Sequence, residues 1–413
     1  MASYLHRTAT TVYPCCVPAL GDSTGAGCVG LATANIRSFC SFSKDFFERF
    51  YFRTLPKNVP GMTSSYNYII FMILAILVGG CGNQTNDPNQ LFSITIENKK
   101  KAYRPSDVLE VSLQNKKGKE LDSVVYFLQE ERLATGEPTK ATTVSLQEQR
   151  LGSRTLSATI YSEGEQYEIS QQVLLLSDTP PTLYTYEILA AYPHDINAYT
   201  QGLEFKGDTL YESTGQYEKS SLRKTDFESG EVLQKVTLKD TYFGEGLTIL
   251  NDKIYQLTWR ENTGFVYDVN TLDRIQTFSY GQSKEGWGLC NDGNVLYKSD
   301  GTQRIWRLNP STLQEEDYIE MYTHKARIKS VNELEWVDGK IYANIYEAEG
   351  IAIVNPETGA VEGVIDCKGL KDEVTQHDAL NVLNGIAYKG EPNILYLTGK
   401  NWDKLFKVRI LKK

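Results

Sequence analysis

The chain has 413 residues, of which 41% are hydrophobic and 23% charged, and this composition indicates a globular protein of two or three domains and excludes a largely disordered one. Its 43 basic and 52 acidic residues leave a net charge of −9, which argues against nucleic acid as the main partner because binding to phosphates favours a basic surface. The four histidines are scattered without a metal-ligand spacing, so a histidine-rich zinc site is not expected, whereas carboxylate metal sites stay open.

An apolar run near the N-terminus predicts a signal peptide. Residues 68–80 (YIIFMILAILVGG) are uninterrupted by polar side chains, which is too short for the roughly 20 residues of a membrane span but fits the apolar region of a signal peptide, about 7–15 residues. The run ends in Val-Gly-Gly-Cys81 and resembles the bacterial lipobox, in which the cysteine is lipidated and becomes the new N-terminus. We therefore expect a lipoprotein of the bacterial cell envelope, anchored to a membrane through Cys81; a short buried helix is the alternative.

The residues before this run fit no simple leader. Signal peptides are about 15–30 residues long, so we interpret residues 62–81 as the signal peptide and residues 1–61 as a mis-assigned upstream start or an unstructured leader. A start slightly upstream of Met62 would add Arg53 and Lys57 to the leader, and this alternative stays open. The polar stretch 82–90 (GNQTNDPNQ) predicts a linker between the anchor and the first folded domain.

Residues 91–178 alternate apolar and polar side chains in short runs, a pattern typical of strands with one buried face. The expected strands are FSITIE (92–97), VLEVSL (108–113), SVVYFL (123–128), TLSATIY (155–161) and YEISQQVLLL (167–176). Five or more such strands predict a small immunoglobulin-like β-sandwich. It carries no cluster of reactive side chains, so a spacer or an interaction module is expected, followed by a linker at residues 178–182 (DTPPT).

An internal repeat occupies the rest of the chain. Five segments align, with their first residues 44, 42, 45 and 52 positions apart: QGLEF (201–205), EGLTI (245–249), WGLCN (287–291), NELEW (332–336) and NGIAY (384–388). A second strand follows each segment, with its tyrosine 10 residues after the segment start in four repeats and 12 in the last. A third strand follows in each repeat.

This periodicity predicts an all-β fold, a five-bladed β-propeller over residues 183–413. The early strand at 183–193 (LYTYEILAAYP) is expected to complete the last blade and close the ring. The alternative is an open β-sandwich with coincidental spacing.

The first position of the repeated segment is chemically varied. In a propeller the start of each innermost strand lines one end of the central channel, and a polar ring there predicts a binding site rather than a packing layer. The five residues are Gln201, Glu245, Trp287, Asn332 and Asn384.

A set of motifs in fixed order resembles the plant and bacterial type of glutamine cyclotransferase. They run in order through residues 183–413: YPHDINAYTQGLEF (192–205), LYESTGQY (210–217), FGEGLT (243–248), QLTW (256–259), GWGLCNDG (286–293), SDGT (299–302), VNELEW (331–336), IYANIY (341–346), LNGIAY (383–388) and LTGKNWDKLFKV (397–408). Members of this family are five-bladed propellers, unrelated to the animal zinc-dependent cyclases. The resemblance implies an enzyme without metal or cofactor that converts the N-terminal glutamine of peptides and proteins to pyroglutamate and releases ammonia. We also expect a monomer.

The resemblance also implies site residues. The α-amine of the substrate attacks its own side-chain carboxamide, so an acid/base group and a group that stabilises the oxyanion are needed. Glu245 is the expected proton shuttle, and Lys400 is expected to pair with it or to donate to the oxyanion, with Lys404 as the competing assignment. The expected substrate-binding residues are Gln201, Trp259, Trp287, Asn332, Tyr346, Tyr199 and Phe243.

Two positions depart from the family pattern. Tyr346 stands where the family usually has Trp, and Tyr199 stands where Phe is common, so the shape of the pocket is expected to differ. Two alternatives to the enzyme stay open: a non-catalytic propeller that binds a peptide or glycan, and a metal-dependent hydrolase that uses Glu245, Asn332 and Asn384 as ligands. The sequence also leaves open whether Cys290 and Cys367 form a disulfide.

Overall fold

The computed structural model describes residues 87–413, which are almost entirely β-structure. The regular elements of this range are 27 strands, one short α-helix and one short 3-10 helix at Leu370–Glu373, so the predicted all-β class is confirmed. No helix within residues 87–413 is long and apolar enough to cross a membrane. The predictions for residues 1–61, the signal peptide at 62–81 and the lipidation of Cys81 lie outside the described residues.

A short helix, α1 (Pro88–Leu91), precedes the first strand. Asp87 is its N-cap, and the side chain of this residue accepts a hydrogen bond from the Asn89 N–H at 3.0 Å. Proline follows the cap at the first helical position, where its missing N–H costs nothing. Leu91 is buried at the end of the helix. Residues 88–90, expected within a linker, are therefore part of an ordered element.

Residues from Phe92 to Leu175 form two facing antiparallel sheets, which we call the N-terminal module. The strands are β1 (Phe92–Ile96), β2 (Val108–Asn115), β3 (Ser123–Leu128), β4 (Glu131–Gly136), β5 (Thr142–Ser145), β6 (Gly152–Ser162) and β7 (Glu165–Leu175). The sheet orders are β1-β2-β5 and β4-β3-β6-β7. The five strands predicted here are present. The sheets also contain β4 and β5, which the sequence pattern does not predict. Strand β4 (ERLATG) lacks an alternating apolar pattern.

The rest of the chain folds into antiparallel sets of four strands. The first three sets are separate sheets: β9 (Thr200–Lys206), β10 (Thr209–Thr214), β11 (Ser221–Asp226) and β12 (Val232–Thr237); β13 (Gly244–Leu250), β14 (Lys253–Thr258), β15 (Gly264–Asp268) and β16 (Arg274–Phe278); β17 (Leu289–Asn291), β18 (Leu296–Ser299), β19 (Arg304–Leu308) and β20 (Glu315–Glu320). The repeated segments of the sequence lie in or directly before the first strand of each set.

The remaining strands form one eight-stranded sheet. They are β8 (Thr182–Pro193), β21 (Val331–Val337), β22 (Lys340–Ile345), β23 (Gly350–Val354), β24 (Val361–Asp366), β25 (Leu383–Ala387), β26 (Ile394–Gly399) and β27 (Lys404–Lys412). Strand β8 pairs antiparallel with β27 along most of its length and parallel with β24 over three residues. The early strand therefore joins the last set of strands, as the sequence predicts.

The first strands of the sets, β9, β13, β17, β21 and β25, contact one another in a closed circle, which we call the inner ring. Five apolar clusters fill the spaces between neighbouring sets. The inner ring is tight: a Cβ at Gly202, Gly246 or Gly288 would lie 2.1–2.6 Å from backbone atoms of the next inner strand. This close approach explains the glycine at the second position of the first three repeated segments, whereas the fourth segment has Glu333 there.

The N-terminal module packs directly on the strand sets. Arg154 of the module lies 3.8 Å from the carboxylate of Glu320, and both side chains are buried. The Leu151 N–H donates to the Thr358 carbonyl at 2.9 Å, and Tyr322 belongs to the apolar core of the module. The described residues accordingly form one compact unit.

Candidate active site

A cavity of about 300 Å³ opens at the end of the inner ring where the inner strands begin. Its lining consists of all nine catalytic and substrate-binding residues proposed from the sequence: Tyr199, Gln201, Phe243, Glu245, Trp259, Trp287, Asn332, Tyr346 and Lys400. Four of the five first-position residues of the repeat are among them. Asn384, the fifth, does not line the cavity and instead donates a hydrogen bond to Gln201.

Two kinds of strand end supply these side chains. Gln201, Glu245 and Asn332 lie near the beginnings of inner strands. Trp259 and Tyr346 directly follow the second strand of their sets, β14 and β22. Because the second strand runs antiparallel to the inner strand, its end lies at the same edge of the sheet where the inner strand starts. Residues more than 50 positions apart therefore meet around one cavity.

Glu245 is the one carboxylate in the cavity lining. Its side chain is buried, and Oε2 has no hydrogen-bond partner within residues 87–413. Burial raises the pKa of the Glu245 carboxyl well above its ordinary value, the charge of Lys400 opposes this, and the nearby carboxylates of Glu285 and Glu261 add to it. A carboxyl with a raised pKa and a free oxygen can both accept a proton and return it.

Lys400 brings a buried ammonium to the same cavity. Its Nζ lies 4.9 Å from the ring centroid of Tyr199 and 5.3 Å from that of Tyr346. Burial lowers the pKa of Lys400 to about 8, with Glu245 acting in the opposite direction. Lys404 donates to the carbonyl of Glu373 on the exposed surface, so the lysine at the cavity is Lys400 and not Lys404.

Two carboxamides face the cavity, Gln201 as a hydrogen-bond donor and Asn332 as an acceptor. Asn384 Nδ2 donates to Gln201 Oε1 at 3.2 Å and to the Thr200 carbonyl at 2.9 Å. Because its oxygen is engaged, Gln201 presents its amide N–H groups to the cavity as donors. Asn332 Oδ1 is buried, and among the described residues it has no hydrogen-bond partner. A primary carboxamide entering this space would therefore meet both a donor and an acceptor.

Aromatic rings form the walls. Phe243 contacts Tyr199 at a centroid distance of 6.1 Å and Trp259 at 5.5 Å, and Trp287 meets Tyr346 edge to face at 5.8 Å. Such faces suit a small apolar stem and an ammonium group. Tyr346 thus completes an aromatic wall at the position where the sequence departs from the expected Trp.

Glu285 is a further site residue, which the sequence did not indicate. This carboxylate accepts a hydrogen bond from the indole N–H of Trp259 and from that of Trp287, each at 2.9 Å. Its position directly before the Gly-Trp-Gly motif was the available signal, but nothing local distinguishes it from an ordinary loop carboxylate.

The sequence left two further questions about cysteines and metal ligands, which the described residues address. Cys290 and Cys367 are both buried and free, which answers the question of their pairing. Over residues 87–413, no three His, Cys, Asp or Glu side chains come together in an arrangement that could hold a metal ion.

Comparison with known proteins places this cavity in context. A family model described as "Glutamine cyclotransferase" matches residues 156–410. A glutaminyl-peptide cyclotransferase of Arabidopsis thaliana is 39% identical over 227 residues, which cover 54% of this chain and 71% of that protein. The crystal structure of the glutaminyl cyclase of Myxococcus xanthus matches with a TM-score of 0.52 and 34% identity, over 56% of this chain and 99% of that one.

Proposed function

The chain belongs to the glutamine cyclotransferase family, and we infer from this premise that it is an enzyme that converts the N-terminal glutamine of peptides and proteins to pyroglutamate with release of ammonia. The observation that carries the inference is a cavity lined by a buried carboxyl, an ammonium, two carboxamides and aromatic walls, in which one carboxyl oxygen has no hydrogen-bond partner among residues 87–413. These are the groups that an intramolecular attack of an amine on a carboxamide requires.

We propose that Glu245 carries the proton through the reaction. The neutral α-amine attacks the side-chain carboxamide carbon, and a C–N bond forms as the carbonyl becomes an oxyanion. The attacking nitrogen gives a proton to the Glu245 carboxylate, which passes it to the departing nitrogen. The carboxamide C–N bond then breaks, ammonia leaves and Glu245 is again a carboxylate. Burial raises the pKa of the Glu245 carboxyl above its ordinary value. A carboxyl with a raised pKa is better suited to take the proton from the amine and to give it to the leaving nitrogen.

Stabilisation of the oxyanion is assigned to two donors. Lys400 supplies a positive charge from a buried position, where it acts more strongly than it would in water. Gln201 supplies amide N–H groups because Asn384 holds its oxygen. Asn332, with its free Oδ1, is positioned to accept from the carboxamide of the substrate. In this scheme each step uses side chains of the cavity and no step requires a metal ion.

The aromatic walls have a conformational role in this proposal. An extended glutamine side chain keeps its amine away from its carboxamide, and cyclisation needs the curled form. A cavity of about 300 Å³ lined by Trp259, Trp287 and Phe243 favours the compact conformer. The entropy of curling is then lost on binding rather than in the transition state.

The direct test measures ammonia release from a dipeptide amide that begins with glutamine, together with the mass loss of one NH₃, against the spontaneous rate. We expect release that persists in EDTA and collapses in Glu245→Gln. Glu228→Gln, in an exposed turn between β11 and β12, is the matched control and is expected to behave as the unaltered protein. No release above background from folded protein would reject the enzymatic function and favour a propeller that only binds.

We further propose that the strand sets form a five-bladed propeller and that the N-terminal module is an immunoglobulin-like sandwich. Five inner strands in a closed circle, and the pairing of β8 with β27, support the first proposal. Two facing antiparallel sheets of three and four strands support the second. On this basis the domains span residues 91–178 and 183–413.

We also propose that the protein is a monomeric lipoprotein of the bacterial cell envelope, with the lipid on Cys81. The support is the apolar run at 68–80 and the small residues before the cysteine. Labelled fatty acid fed to expressing cells should appear in the protein and be absent from Cys81→Ser. Equal labelling of both proteins, or none of either, would reject the anchor.

A further inference from the structure

We propose that Glu285 is a positioning residue that fixes the two tryptophans of the cavity wall and thereby holds the substrate in its curled form. The proposal rests on the function proposed above. Trp259 and Trp287 both donate their indole N–H to the same carboxylate oxygen, Oε2, at 2.9 Å. The two indoles come from different strand sets, and this one oxygen joins them.

The second oxygen of the same carboxylate fixes a third side chain. Arg260 donates from Nε to Glu285 Oε1 at 3.1 Å. Its guanidinium carbon lies 3.6 Å from the ring centroid of Trp259. Trp259 is therefore held at its edge by a hydrogen bond and on one face by a stacked cation, which leaves little freedom for the ring to turn.

Glu285 is held in place by a buried ion pair. Lys298 donates from Nζ to the main-chain carbonyl of Glu285 at 2.9 Å, and it lies 3.2 Å from Glu315. Both members of the pair are fully buried. Glu315 also accepts from the main-chain N–H of Ser283 at 2.9 Å. A buried ion pair is weak evidence for stability alone, but here it fixes the loop that carries Glu285.

The carboxylate is charged when it does this. Although burial acts in the other direction, hydrogen bonds from Trp287, Trp259 and Arg260 lower the pKa of Glu285 below its ordinary value. Charge-assisted hydrogen bonds are shorter and stronger than neutral ones. An anion behind the indoles also makes their faces more attractive to the ammonium of a substrate.

The variant Glu285→Ala tests the proposal, with Glu285→Gln as the conservative variant and Lys284→Ala as the control. Glutamine keeps an oxygen that can accept from both indoles, and Lys284 is an exposed neighbour in the same loop. We expect Glu285→Ala to lower kcat/KM by about 10- to 100-fold, mainly through KM, since misplaced walls lose the curled conformer. Glu285→Gln should stay within about 3-fold, because most of the hydrogen bonding survives, and Lys284→Ala should be unchanged.

A readout independent of turnover completes the test. The chain has five tryptophans, so a ¹H–¹⁵N spectrum of the full protein should contain five indole signals. In Glu285→Ala the signals of Trp259 and Trp287, identified with Trp→Phe variants, should shift, and the other three should not. A loss of activity with unmoved indole signals, or moved signals with unchanged kinetics, would overturn the proposal.

The proposed function can fail separately. If the unaltered protein releases no ammonia, the indole signals can instead follow the binding of the glutamine dipeptide amide. Weaker binding by Glu285→Ala, with binding by Glu285→Gln retained, would then support the positioning role without the reaction. Equal binding by all variants would reject it.

Discussion

The N-terminal module and the strand sets bury polar groups in different ways. The module has one continuous core of Leu, Val, Ile, Phe and Tyr side chains, with the Tyr126 hydroxyl as an isolated polar atom inside it. The inner ring instead buries glutamate, glutamine and asparagine along its strands. Burial of such groups is costly unless they are paired, so their concentration in the inner ring indicates a purpose that the module lacks.

Two glutamates of the inner ring show what that purpose is. Burial raises the pKa of both Glu245 and Glu333. Glu333 accepts from the Ile386 N–H at 3.0 Å, and the Leu203 N–H also faces it. Glu245 has an oxygen with no partner in the part of the chain described, and it faces the cavity. A raised pKa therefore does not by itself identify a catalytic group, whereas a free oxygen at a cavity does.

The largest expected effect comes from Glu245→Gln. Loss of the proton shuttle should lower kcat by about 10²–10⁴-fold. The melting temperature should change little, because the substitution removes an unpartnered buried carboxyl oxygen but also the charge that faces the buried Lys400. Kinetics of ammonia release and a thermal melt on the same sample measure both. A fall in kcat that only accompanies unfolding would contradict the assignment.

Lys400 should produce the next effect and a pH signature. Lys400→Met should lower kcat/KM by about 10²–10³-fold through loss of an oxyanion donor. In the unaltered protein the charged form exists below a pKa of about 8, so activity that needs the charge should fall as the pH rises through that value. Lys400→Arg, which stays charged, should move this alkaline fall to higher pH. If the alkaline fall in activity stays at the same pH in Lys400→Arg, a group other than Lys400 causes it.

Glu333→Gln should separate stability from activity. The amide NH₂ would face one of two main-chain N–H groups that the carboxyl now satisfies, which should cost about 1–3 kcal/mol in the free energy of unfolding. The kcat per folded molecule should stay near that of the unaltered protein. Chemical denaturation measures the first quantity, and a kcat loss as large as that of Glu245→Gln would remove the distinction between the two residues.

The smallest effect is expected in the module. Tyr126 buries a hydroxyl for which residues 87–413 offer no hydrogen-bond partner, so Tyr126→Phe should raise the free energy of unfolding by about 1 kcal/mol. Activity should not change, since the residue lies in the core of the module. Destabilisation in the denaturation curve would mean that the hydroxyl has a partner in solution.

Much of the architecture is readable from local patterns. The alternation in VLEVSL and SVVYFL located two strands of the module, and the repeated segments located the inner strands. Strand β4 was not predicted, because most of its residues are exposed or half-buried and its sequence has no apolar alternation. The nine lining residues were reached through the ordered motifs of a family, since the spacing alone identified only the first-position ring.

What the sequence determined by itself is the all-β class and the period of the repeat, because strand alternation and the spacing of the repeated segments can be read along the chain. Tertiary structure alone decided that Lys400 and not Lys404 faces the cavity, that Cys290 and Cys367 stay apart, and that Glu285 joins two indoles. These facts are distances between residues on different strand sets, and such distances exist only once the ring of strands has closed.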